Sequence, residues 1–183
     1  MALGIAQIRE MAVMALYQQW FNPDMSVAEL FDYLKEAHEE FMQEVVYEDI
    51  DEETLTIWQA SGRILTPVSD QEPPKRLQSF PHLKSSEPLP DYLVELVENV
   101  VAQRETIDQR LDKHIQGNWS VRRLELINRF ILEVAAYEMK EVPEDKVPAV
   151  VAIDQAVDLA KRYSDDRSRR FINGVLSQLL TAE

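Results

Sequence analysis

Acid–base or metal chemistry in this chain would have to start from three histidines, His38, His82 and His114, and their spacing does not assemble it. None lies in a His-Glu-x-x-His pair, which would put two imidazoles on one helix face around a zinc ion. None follows a glutamate by three residues, the spacing that projects ligands into a di-iron helical bundle. A Gly-x-Ser-x-Gly nucleophile turn and a phosphate-cradling glycine loop are both missing. The chain has no cysteine, which excludes disulfides, thiolate metal sites and a cysteine nucleophile. The expectation is therefore a protein that is not an enzyme, with no catalytic residue, no metal and no cofactor.

The arginines offer a different chemistry. Arg122, Glu125, Arg129 and Glu133 recur at three- and four-residue intervals, an ion-pair ladder along one helix worth a few tenths of a kcal/mol per pair. That ladder accounts for Arg129. It does not account for Arg123, which falls off it, or for Arg122, which stands in the first helical turn, where a cation is electrostatically unfavourable. Such a pair points to an anion nearby, and RNA phosphate is one. Arg167, Arg169 and Arg170 form a second basic cluster ahead of Phe171, behind Asp165 and Asp166, whose carboxylates can cap a helix. This cluster reads equally well as a solubility device, and Phe171 as a core residue.

Net charge is −14, which opposes nucleic-acid binding until it is divided along the chain. Residues 1–60 hold 2 basic and 13 acidic side chains, whereas residues 119–183 hold 10 and 11. Phosphate contacts depend on cations within a screening length of about 8–10 Å, so a locally neutral, arginine-rich region keeps that option open.

Helices must position these groups. Apolar residues recur with helical period in a first helix over about Ile5 to Trp20 (Ile5, Ile8, Ala12, Leu16). Asn22-Pro23-Asp24 breaks it, and Ser26 with Glu29 forms a capping box for a second helix bearing Val27, Leu30, Phe31, Leu34, Phe41 and Val45. The opposite face carries Asp32, Glu36, Glu39, Glu40 and Glu44, a solvated face or a surface for a basic partner. Pro90-Asp91 opens a long helix with Leu93, Leu96, Val97, Val100, Ile107, Leu111 and Ile115, which Gly117 stops. Trp119 reads as a core anchor, and Ser120 as the cap of a helix running from Val121 to Met139. After Pro143 and Pro148 come two more helices, with stripes Ile153, Ala156, Val157, Ala160 and then Phe171, Ile172, Val175, Leu176, Leu179, Leu180. Gly174 reads as a close-packing residue. Strand signals are nearly absent, so the fold class is all-α. No signal peptide or membrane span is expected, and the location is expected to be cytoplasmic.

The order Asn118-Trp119, Ala135-Ala136-Tyr137-Glu138-Met139, Val151-Ala152-Ile153-Asp154-Gln155-Ala156-Val157-Asp158-Leu159-Ala160-Lys161-Arg162-Tyr163 and Phe171-Ile172-Asn173-Gly174-Val175-Leu176 closely resembles the NusB family of transcription antitermination factors. Arg9 to Gln18 is similar to the first helix of that family. The resemblance implies a single NusB-like helical domain over residues 1–183, about seven helices in two small packed bundles, with residues 46–88 an insertion or loop. It implies transcription regulation by antitermination. In that function the chain pairs with NusE (ribosomal protein S-ten), binds the boxA RNA of nascent ribosomal leaders, and joins an RNA polymerase antitermination complex. On the same resemblance Arg9, Tyr17, Arg122, Arg123, Arg169, Arg170 and Phe171 form one RNA-binding surface. The family's basic run just before the Arg-Glu of the first helix is replaced here by Gly4-Ile5-Ala6-Gln7-Ile8, with only Arg9 remaining, and Glu133 stands where an arginine is usual. Two alternatives follow from those departures and from the family's relatives. One is a NusB-like protein-only scaffold that has lost RNA binding. The other is an accessory domain like that of some RNA cytosine methyltransferases, whose nucleophile a cysteine-free chain lacks.

Overall fold

Every residue from Asn128 to Glu138 is buried, so the helix that carries them has no solvent face and must lie at the centre of the molecule. A computed structural model describes residues 4–34 and 88–182. Its helices are α1 (Ile5–Phe21), α2 (Asp91–Asp112), α3 (Leu126–Glu141), α4 (Ala149–Tyr163) and α5 (Asp166–Ala182), with a 3-10 turn at Val121–Arg123. Residues 27–34 are helical as well, and no strand occurs among the described residues. The α1 and α2 helices pack on each other and on α3, while α4 and α5 pack on each other and on the same α3. The two expected bundles thus share their central helix and one continuous core.

The core follows the sequence pattern closely in α2, where Leu93, Leu96, Val97, Val100, Ile107 and Leu111 are all buried. In α1 the buried face holds Ile8, Ala12 and Leu16, but Ile5 is exposed. The α4 stripe is rotated from its expected position: Ala152, Ala156, Leu159 and Ala160 are buried, whereas Ile153 is half-buried. Small residues on that face let α4 approach its neighbours closely. In α5, Ile172, Val175, Leu176 and Leu179 are buried, and Leu180 is exposed.

Local signals behave as expected at two helix starts. Glu29 accepts from the Ser26 N–H at 2.8 Å and the Ser26 hydroxyl accepts from the Glu29 N–H at 3.3 Å, the reciprocal capping box. Asp165 accepts from the Ser168 N–H at 2.7 Å at the head of α5, which holds its carboxyl below the usual range. The stop expected at Gly117 comes earlier: α2 ends at Asp112, with Lys113 still in the right-handed helical region, and Gly117 adopts its left-handed φ of +77° in the turn that follows.

Two expectations fail at the junction after Gly117. The helix predicted from Val121 starts only at Leu126, and Ser120 makes no side-chain cap. The reason is a distant bond: the Val121 N–H donates to Asp112 Oδ1 at 2.7 Å, pinning the chain to the end of α2 as a 3-10 turn. Val121 takes the buried place there, and Trp119, expected in the core, is 59% exposed. The expected insertion at 46–88 lies outside the described residues except for Pro88, as do His38, His82 and the acidic side chains Glu36 to Glu44.

Candidate nucleic-acid interface

A buried α3 with four polar side chains needs partners for each of them, since an unpaired buried charge costs several kcal/mol. Near its C-terminal end, Glu138 accepts from Arg9 Nε at 2.7 Å and from the Tyr92 hydroxyl at 2.6 Å. The next residue along α1, Glu10, accepts from Arg162 at 3.1 Å and from the Tyr163 hydroxyl. Burial raises the Glu10 carboxyl above its usual value despite these donors. Toward the N-terminal end, Glu133 bridges Arg129 at 2.8 Å and Arg104 at 3.0 Å, and Arg129 also bonds Asp108 at 2.7 Å. Desolvation pushes Glu133 up to about 7, with Arg104 pulling the other way and Asp108 adding to the rise. A carboxyl titrating near neutrality can mark a catalytic acid. Here the side chain is fully buried beneath two arginines, closed off from solvent, and holds them in place.

What the two arginines support is aromatic. Arg129 lies 4.7 Å from the centre of the Trp20 ring, and Arg104 lies 5.5 Å from the same ring and 5.4 Å from that of Phe130. Tyr17 meets Phe130 edge-on at 6.1 Å and Phe21 at 5.4 Å. Tyr17 and Trp20 are each 40% exposed and Phe21 more so. The end of α1 therefore presents three aromatic faces to solvent around the start of α3. Arg122 joins this cluster through Asp108, the acid shared with Arg129: it lies 3.9 Å from that carboxylate, and its side chain is 62% exposed. From the other flank, Asn128 donates to the Ser168 hydroxyl at 3.1 Å, bringing the head of α5 against the head of α3. Cations and open rings at one place suit phosphates and unpaired bases.

The predicted site residues separate accordingly. Tyr17 packs on Phe130 and Arg122 precedes the start of α3, and the Asn128–Ser168 bond brings the head of α5, with Arg169, Arg170 and Phe171, to the same end. Arg169 reaches back to Asp166 at 3.3 Å, Arg170 is exposed, and Phe171 is half-buried against the core. Arg123 turns toward Trp119, 5.9 Å from its ring. Arg9 does not belong with them. It is only 2% exposed and bound to Glu138 at the far end of α3, so its charge is spent inside the protein.

A sequence profile described as the NusB family matches residues 68–181. The chain belongs to the NusB family. Among its relatives, the transcription antitermination protein NusB of Enterococcus faecalis is 34% identical over 95% of this chain and 87% of its own. That of Levilactobacillus brevis is 45% identical over 52% of this chain, a stretch spanning 66% of the relative. In fold, the chain is similar to a crystal structure of antitermination factors NusB and NusE with double-stranded RNA (TM-score 0.57, 21% identity, 97% of this chain and 96% of that one). It is also similar to NusB of T. maritima (TM-score 0.54, 20% identity, 99% and 93%).

Within this NusB-family chain, the sequence reading missed Trp20 and Phe21 as exposed rings. Their spacing from Tyr17, three and four residues, was the available signal, because it puts all three on one helix face. Among the described residues no group of His, Asp and Glu could hold a metal ion, and no helix is long and apolar enough to cross a membrane.

Proposed function

We propose that this chain is an antitermination factor of the NusB type. It binds boxA RNA of nascent ribosomal leader transcripts together with NusE and supports processive transcription by RNA polymerase. It acts in the cytoplasm as a binding protein, without catalysis. The observation that carries the reading is the juxtaposition of exposed rings and guanidinium groups around the start of α3 in a chain of this family. Tyr17, Arg122, Arg123, Arg169, Arg170 and Phe171 are the contacts we assign to RNA, with Arg9 left out because it is interior.

Affinity of the chain alone is expected to be low, since cations are few and the N-terminal half is acidic. NusE would add cations and hold a second RNA contact at high effective concentration. The deciding experiment is a titration of labelled boxA RNA with this chain, with NusE, and with both. Binding that is weak for each alone and tight for the pair supports the reading. A pair that assembles yet leaves RNA affinity where NusE alone puts it would instead favour the protein-only scaffold.

A further inference from the structure

Trp119 is the largest side chain in the short connection between α2 and α3, and it is held out of the core by the connection itself. Gly117 supplies the left-handed residue, the Val121 N–H is fixed to Asp112 Oδ1 at 2.7 Å, and the Arg123 N–H donates to the Ser120 carbonyl at 3.0 Å. The Arg123 side chain closes the loop by donating to the Asn118 carbonyl at 3.0 Å, with its guanidinium 5.9 Å from the indole centre. The ring is thus backed by a cation and 59% open to solvent. Arg122, three residues on in the same connection, is exposed and weakly tied to Asp108, which is already engaged by Arg129, and Arg129 in turn lies against Trp20. Trp119 with Arg123, and Trp20 with Arg129, are thus two ring–cation pairs, with the exposed Arg122 next to Arg123 in the chain and joined to Arg129 through Asp108.

We propose that Trp119 is a base-stacking platform for an unpaired nucleotide flanking the bound RNA element, with Arg122 and Arg123 receiving the neighbouring phosphates. This rests on the RNA-binding reading above and adds a contact outside it. A fixed indole has little conformational freedom left to lose, and every base offers a face to stack, so the contact extends the RNA footprint without adding sequence preference. The cations beside it favour a polyanion as occupant over an acidic stretch of protein, whose charges lack the flat faces that the open ring would cover.

The test compares boxA RNA alone with the same element extended by a few unpaired nucleotides at each end, titrated against the full chain with NusE. Wild type should bind the extended RNA about 5- to 100-fold more tightly than the short one. Trp119→Ala should bind the short RNA as wild type does and lose that gain, with its dependence on salt unchanged, because stacking releases no counterions. Trp119→Phe, which keeps a smaller ring in an exposed position, should keep part of the gain and serves if the alanine variant is unstable. Equal gain in wild type and both variants, or no gain in wild type while the short RNA is still bound, overturns the platform and leaves the antitermination reading intact. Failure of wild type to bind either RNA overturns both.

Discussion

Glu133 concentrates the residue-scale problem of this protein: one carboxyl, completely buried, between two arginines. Removing it leaves Arg104 and Arg129 without their shared acceptor, and uncompensated buried charge costs about 3–5 kcal/mol. Glu133→Ala is therefore expected to lose stability of that order in urea unfolding, and to loosen Trp20 and Phe130 with it. The pH dependence has a definite sign. The carboxyl has an ordinary value of 4.5 and is pushed up to about 7 in the fold, chiefly by desolvation. Between those values the native chain holds a proton that the unfolded chain has released, so this group's contribution to stability is full below about 4.5 and is lost as pH rises through 7. Glu133→Gln lacks the titration. The stability of wild type relative to the glutamine variant should fall across that window and stay level on either side; a flat difference throughout would show that the arginines cancel desolvation, and a difference that instead shrinks as pH falls below 4.5 would show that they outweigh it. Neither this cluster nor the burial of Arg9 was legible in the sequence. The helical spacing gives the Arg129–Glu133 pair, but as a local ladder worth a few tenths of a kcal/mol rather than as a buried cluster with Arg104 and Asp108. The partner of Arg9 is 129 residues away, where no local pattern reaches it.

At the scale of elements, two glycines show how differently the same residue can be used. Gly117 has φ +77°, and a Cβ there would meet nothing within 4 Å. Any cost of Gly117→Ala is thus conformational, about 1–2 kcal/mol for an L-residue in the left-handed region. Gly174 sits inside α5 with equally open space around it, so among the described residues nothing packs closely on it as the sequence led us to expect. There Gly174→Ala should raise stability by about 0.5–1 kcal/mol, because alanine loses less freedom in a helix. Thermal unfolding of the two variants should shift in opposite directions, and a loss for Gly174→Ala would mean that another chain packs on that face. Helices were the legible part of this fold. The periodic stripe of α2 and the Ser26–Glu29 box are local, and both hold. The head of α3 was not legible, because a bond from Val121 back to Asp112, nine residues earlier, overrides the start signal at Ser120 and puts Trp119 outside.

For the molecule as a whole, the question is whether a chain of net charge −14 binds RNA through a few local cations. The described arginines divide into two kinds. Arg9, Arg104 and Arg129 are committed to Glu138, Glu133 and Asp108 within the fold. Arg170 is exposed, and Arg169 is held only by an exposed Asp166 at 3.3 Å. If the second kind meets phosphate, replacing Arg169 and Arg170 by alanine should weaken boxA binding in the presence of NusE. It should also flatten the dependence of log affinity on log salt by about 0.7 for each single-strand phosphate that is no longer neutralised. Folding should change little, since a surface ion pair contributes about 0–1 kcal/mol. Arg9→Met supplies the contrast: it strands Glu138 inside the protein, so stability should fall while the salt dependence of whatever RNA binding survives keeps its wild-type slope. Measuring affinity over a range of salt for both variants separates the two roles. An unchanged slope for the α5 pair, with binding intact, would remove Arg169 and Arg170 from the interface and shift the assignment toward the aromatic end of α1 and Arg122.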